Sequence, residues 1–219
     1  MNFGAAFSFP FKDPDWGKKL LIGALVTVSA VFLIGIFVLA GYFVQVTQRT
    51  MRREVNLLPK WEDIGVMFVI GFKYCVAFCV YLIPIFLLLI PIVVISILEA
   101  LTSGEGALPL FTGVYTIVAI AGISLYALVL TLFTPIITYR FAEHERITDA
   151  LDISSIVRLF TRNWQNTTVV ALISMGIESF AGIGILFFFV GILFTIFYSY
   201  LVAGYLYGLL YLEQAPTDT

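Results

Sequence analysis

The residues best equipped for chemistry in this chain are few, and their spacing does not suit it. The single histidine, His144, stands in the run Ala142-Glu-His-Glu-Arg-Ile147, a triplet of metal-compatible groups. Adjacent residues on a helix point about 100° apart, so Glu143, His144 and Glu145 cannot converge on one ion. A solvated, charge-balanced loop is the expected role, and a cluster of Glu143, His144 and Asp149 is the one metal arrangement to look for in the fold. Cys75 and Cys79 lie on one face of a helix inside an apolar run. They are expected to be buried packing thiols, because a disulfide between neighbouring turns of one helix gains little. No Ser-His-Asp arrangement, zinc set or Gly-rich phosphate loop can be drawn from the remaining residues. The sequence therefore points to no catalytic residue, no metal and no cofactor.

Glu178 is the one acid deep within an apolar block. An ionisable residue there raises a proton or ion pathway by default. No second buried charge is available to pair with it or to relay a proton, so it stands as a candidate functional acid only. Pro84 and Pro91 interrupt another apolar block. Broken helices line some transporter sites, although proline is also common in ordinary membrane helices. These three residues carry the alternative reading of a small-molecule or lipid transporter or channel.

The elements that must position these residues follow from the charge pattern. The chain has 219 residues, of which 61% are hydrophobic and 12% charged, far from the roughly 45–50% apolar and 25% charged of soluble domains. All twelve Lys and Arg fall in three short clusters, and the apolar runs between them are of membrane-spanning length or longer. A net charge of −2 without a concentrated basic face argues against a nucleic-acid partner. Lys12, Lys18 and Lys19 precede an apolar run that continues to about Val46, too long for a signal-peptide core and expected to be a retained membrane segment.

Four apolar blocks, about 20–48, 64–98, 107–139 and 167–212, are expected to cross the membrane. The last is long enough for two helices, with a turn in Glu178-Ser-Phe-Ala-Gly-Ile-Gly184. The loop with Arg49, Arg52, Arg53 and Lys60 and the loop with Arg140, Arg146, Arg158 and Arg162 should be cytoplasmic, and the stretch Glu99 to Thr112 should lie outside. Blocks two and three then form one hairpin. Block one satisfies Lys18 and Lys19 only if it is itself a short hairpin turning near Gly35, which also makes the tail Glu213 to Thr219 cytoplasmic; a single span is the other option. The expected fold is all-α: a polytopic bundle of six helices in three hairpins, forming one integral membrane domain over 1–219.

A threefold internal repeat (1–62, 63–151, 152–219) is compatible with an ungapped alignment. Asn2, Phe3, Phe7, Phe9 and Lys12 match Asp63, Ile64, Phe68, Ile70 and Lys73, and again Asp152, Ile153, Val157, Leu159 and Arg162. Each copy opens with a good N-cap residue and places apolar residues four apart, as a short amphipathic helix in the headgroup layer would. Lys18, Lys19, Arg49, Arg52, Arg53, Arg158 and Arg162 are the candidates for anionic lipid headgroups. In the last helix, Tyr198 and Tyr205 with Gly204-x-x-x-Gly208 form a candidate helix-packing or partner surface. Membrane lipids, a membrane-protein partner or a second copy of the chain are the partners these features suit.

Several motifs bear a resemblance. The opening Phe3-Gly-Ala-Ala-Phe-Ser-Phe-Pro-Phe-Lys-Asp-Pro-Asp-Trp-Gly-Lys-Lys-Leu-Leu-Ile-Gly23, Gly41-Tyr42, Leu58-Pro-x-Trp-Glu-Asp63 and Phe197-Tyr-x-Tyr-Leu-Val-Ala-Gly-Tyr-Leu-Tyr-Gly208 resemble an uncharacterised prokaryotic multi-pass membrane family, domain of unknown function 4013. More loosely, the arrangement is similar to the membrane domain attached to some glycerophosphodiester phosphodiesterases, with no catalytic residue carried over. The family resemblance implies a bacterial or archaeal origin and a plasma-membrane location, and it implies no activity. Block one departs from the family pattern in lacking a central proline. The functional expectation is a non-enzymatic membrane protein acting as an assembly, scaffold or lipid-organising component.

Overall fold

The computed structural model describes residues 3–30, 33–101, 108–181 and 190–214, and all of its regular structure is helical. Helix α1 (Phe3–Ser8) runs into a 3-10 turn over Phe9–Lys12. Then come α2 (Trp16–Ser29), α3 (Ile34–Met51), α4 (Ile64–Leu101) and α5 (Leu108–His144). The chain closes with α6 (Ile147–Ala150), α7 (Ile153–Arg162), α8 (Trp164–Ala181) and α9 (Val190–Gln214). Three of the described helices are long and apolar enough to cross a membrane: α4, α5 from Leu110, and α9 from Gly191.

Block one is broken into α2 and α3, which pack on each other. At 14 residues, α2 is only about 21 Å long, short of a hydrocarbon core of about 30 Å. The break falls just before Gly35, at Leu33, whose φ of 64° is left-handed; Val31 and Phe32 lie outside the described residues. A Cβ on Gly35 would collide with the backbone of Ser29 and Ala30, so only glycine lets α3 start this close to the end of α2. The expected turn at Gly182–Gly184, the repeat's opening Asn2, the loop 102–107 and the tail 215–219 lie outside the described residues.

The chain separates into two compact units, residues 1–77 with 132–219, and residues 78–131. In the first, α3 is the central helix. It packs on α2 and α9 and meets the start of α4 backbone to backbone. A Cβ on Gly41 would overlap the Met67 carbonyl, and one on Gly71 the Phe37 carbonyl. On another face of α3, a Cβ on Gly208 of α9 would come within 2.5 Å of the Thr50 Cβ and 2.9 Å of the Thr47 carbonyl oxygen. Small residues let helices approach closely enough for backbone contact. The core around them holds Tyr42, Met67, Phe197 and Leu201, each 1% exposed.

The second unit is a pair of antiparallel helices. Pro84 and Pro91 do not end α4, but each removes a backbone donor and its ring crowds the carbonyls one turn earlier. Two tyrosines of α5 supply donors there. The Tyr126 hydroxyl donates to the Tyr81 carbonyl at 2.7 Å, three residues before Pro84, and the Tyr115 hydroxyl to the Leu88 carbonyl at 3.1 Å, three residues before Pro91. Thr112 donates to the Glu99 carboxylate near the end of the pair.

Two expectations need correction. The second repeat copy, 63–73, is the opening of the continuous helix α4 rather than a separate interfacial helix; its apolar side packs on α3 through Met67 and Gly71, which removes any reason to break. The expected buried thiols are not seen: Cys79 is exposed and Cys75 only half-buried, and they form no disulfide with each other.

Candidate ligand-binding cavity

The loop after α3 is what builds the site. Helix α3 ends with Arg53 in the left-handed region at φ 55°. Glu54 N–H donates to the Arg49 carbonyl and Arg53 N–H to the Thr50 carbonyl, both at 3.0 Å, the pattern of a Schellman cap. The chain then folds back so that Leu58 and Pro59 are buried. Tyr42 donates to the Pro59 carbonyl at 3.1 Å and stacks on Trp61 with centroids 4.4 Å apart. The indole N–H of Trp61 donates to the Lys19 carbonyl at 3.1 Å.

The start of α2 closes the other side. Asp13 Oδ1 accepts from Asp15 N–H at 2.9 Å, a local turn that aspartate favours. Its Oδ2 pairs with Lys19 Nζ at 2.6 Å, with the two side chains 8% and 12% exposed. Lys19 also donates to the Leu58 carbonyl at 3.1 Å. One buried lysine thus ties the Asp13-Pro14-Asp15 turn to the Leu58–Trp61 loop. At the far wall, Gln48 Nε2 donates to the Ala142 carbonyl and to Glu145 Oε1, both at 2.9 Å.

Between these walls lies an open cavity of about 450 Å³, within the range of small-molecule sites. Its floor is Met67 and Ile70 of α4 with Gln45 and Gln48 of α3, and its rim carries charges of both signs. Two ion pairs are internal: Asp13 with Lys19, and Arg49 with Glu54 at 3.8 Å. Among the described residues no group of His, Cys, Asp and Glu side chains could hold a metal ion. His144 Nδ1 does meet Asp149 Oδ2 at 2.9 Å, but Glu143 turns to Arg140 at 3.2 Å and to the Tyr211 hydroxyl, so the three do not converge.

The headgroup candidates divide. Lys18, Arg52 and Arg53 are exposed and Arg49 is half-buried, whereas Lys19 is spent on Asp13 and is no free headgroup contact. Arg158 and Arg162 are exposed on α7. That helix begins at Asp152, whose carboxylate accepts from Ser155 N–H at 3.2 Å and from the Ser154 hydroxyl at 2.7 Å. These hydrogen bonds favour the charged form and draw the Asp152 pKa down to about 2. On α7 and the start of α8, Ile153, Val157 and Trp164 form an exposed apolar stripe beside the arginines.

On α9, Gly204 and Gly208 face α3, while Tyr198 and Tyr205 hold the N-terminal segment. Tyr198 donates to the Phe7 carbonyl at 2.7 Å and Tyr205 stacks on Phe9 with centroids 4.7 Å apart. Glu178 is exposed on α8. Trp61 belongs to the Leu58–Asp63 motif, whereas nothing in the sequence pattern pointed to Tyr115, Tyr126 or Gly71 of the close crossing.

An all-helical chain with three helices of membrane-crossing length, and a charged cavity built by the loops at their ends, is the class of protein this structure defines. The chain belongs to the family described as protein of unknown function DUF4013, whose model matches residues 24–196. Gly41-Tyr42 and Leu58–Asp63 fall inside that match, while Asp13, Lys19 and the α9 motif from Phe197 onward fall outside it. No curated protein and no solved structure matches the chain.

Proposed function

We propose that this chain is a non-enzymatic integral membrane protein that organises lipid or serves as a scaffold for membrane assembly, working through its surfaces. The observation that carries this reading is the exposure of its most apolar helices. The most hydrophobic windows of α4 and α5 are 0% and 6% buried by protein, so acyl chains must cover them. The ionic groups gather instead at the ends of α2, α3 and α4 and along α7, where anionic headgroups would meet them. On this reading the basic loops are cytoplasmic, the chain sits in a prokaryotic plasma membrane, and its helices pair as three hairpins.

The transport alternative rested on Pro84, Pro91 and Glu178. Near both prolines Tyr126 and Tyr115 of α5 donate to the Tyr81 and Leu88 carbonyls, which favours a structural role for this stretch of α4, and Glu178 is exposed on α8. Purification in lipid nanodiscs, with mass spectrometry of what travels with the chain, tests the reading. A ring of retained lipid or a stoichiometric membrane partner is expected; proteoliposomes that leak or transport small solutes, with loss in Glu178→Gln, would overturn it.

A further inference from the structure

The cavity retains charges of both signs after its internal pairs are counted. Among the described residues, Arg52 and Lys60 enter no ion pair, and neither do Asp15, Glu62, Asp63 and Glu145, the last accepting a hydrogen bond from Gln48. All six line the cavity. Unpaired cations beside unpaired carboxylates complement a ligand that is itself a zwitterion: an anion for the guanidinium and ammonium, an amine for the carboxylates. The surplus of carboxylates disfavours a purely anionic ligand. Among the described residues no aromatic side chain lines the cavity, so they form no cage of the kind that recognises a quaternary ammonium. Carboxylates suit instead a primary ammonium, whose N–H groups can donate to them.

The position of the cavity says where such a ligand would come from. Its α4 wall runs from Asp63 to Ile70, just before Lys73, the last charge on α4 until Glu99. Val66 lines the cavity and is 53% exposed, and Val69 and Phe72 continue an exposed apolar face toward the long apolar run. A headgroup in the cavity would therefore place its acyl chains along α4. We infer that the cavity between the Asp13–Asp15 turn, the Leu58–Asp63 loop and α4 is a binding site for a phospholipid with a zwitterionic, primary-amine headgroup. This deepens the lipid-organising reading and rests on it.

The test uses the full chain in nanodiscs of equimolar phosphatidylethanolamine, phosphatidylcholine and phosphatidylglycerol, with native mass spectrometry of the lipids retained after release into mild detergent. Phosphatidylethanolamine should be enriched about fivefold or more over each of the others. Glu62→Gln with Asp63→Asn should abolish the discrimination against phosphatidylcholine, and Arg52→Gln with Lys60→Gln should release all three; these positions are exposed, and thermal melts confirm that the variants fold. Equal retention of the three lipids, preference for phosphatidylglycerol, or enrichment unchanged in both variants overturns the site. Spin-labelled lipid separates the two levels: an immobilised but unselective lipid shell leaves the lipid-organising reading standing while the site fails, and no immobilised shell removes both. Competition by soluble phosphoethanolamine as strong as by the lipid would assign the headgroup chemistry to a soluble ligand and overturn the lipid site.

Discussion

The two units of this chain differ in composition and in what surrounds their side chains: residues 78–131 contain no Lys or Arg, and all twelve lie in the other unit. In residues 78–131, Ala119 is the one buried hydrophobic among the described residues, and Phe86, Leu87, Ile117 and Leu125 are all more than half exposed. In the other unit, Tyr42, Tyr139, Phe141 and Phe197 are each at most 1% exposed. Apolar side chains thus serve two purposes. In one unit apolar side chains bury one another, and the specificity comes from glycines and polar tethers. In the other they stay exposed, as lipid-facing side chains would, and the two helices register on each other through tyrosine hydroxyls. Hydrophobic burial gives the paired helices no unique arrangement in lipid, because acyl tails are as apolar as leucine.

The contrast can be broken most strongly at Lys19. Lys19→Met leaves the Asp13 carboxylate, 8% exposed, buried without its partner, and should cost about 3–5 kcal/mol. Much of that should return in Lys19→Met with Asp13→Leu. Hydrogen exchange should show the loss over α2, α3 and the Leu58–Trp61 loop while the amides of 78–131 stay protected; equal loss in both units would erase the distinction.

Next comes Gly71→Ala, which forces a methyl into the Phe37 carbonyl and should cost roughly 1–3 kcal/mol, read as a lowered denaturation midpoint in detergent. Tyr126→Phe probes the other unit by removing the donor to the Tyr81 carbonyl. Its expected cost is about 0.6 to 1.7 kcal/mol, seen as faster exchange confined to residues near Pro84. A smaller effect of opposite sign is expected at Arg53, whose φ of 55° glycine adopts freely. Arg53→Gly should stabilise the α3 cap by about 0.5 kcal/mol after the added freedom of the unfolded chain is subtracted.

The mildest probe is acid. The Asp152 carboxyl has its pKa drawn from 3.8 to about 2 by its Ser154 and Ser155 hydrogen bonds. A depressed folded-state pKa means the cap contributes fully above the unfolded value and is lost as pH falls from about 4 to about 2. The Ser155 amide resonance should follow that window, and in Asp152→Ala it should not.

Much of the helical plan was legible from residue types. Lys73 and Arg140 mark the ends of charge-free runs, and Pro10 and Pro14 bar an uninterrupted first helix. The break before Gly35 was one of two options that the basic clusters allowed. The cavity was not legible, because its walls come from positions as far apart as Asp13, Gln48, Asp63 and Glu145. Lys18 and Lys19 read alike in sequence, and only the fold sends one to solvent and the other to Asp13.

By itself the sequence determined that the chain is helical, that it carries apolar runs of membrane-crossing length, and that its charges collect at the ends of those runs. Periodicity, run length and charge spacing are local properties, and the bilayer's thickness and low polarity act on them directly. The tertiary structure alone decided which glycines become helix crossings, which tyrosines reach carbonyls near the prolines, and which charges are left unpaired around a cavity. Those outcomes depend on contacts between segments tens of residues apart, which the linear pattern does not encode until the backbone brings them within a few ångströms.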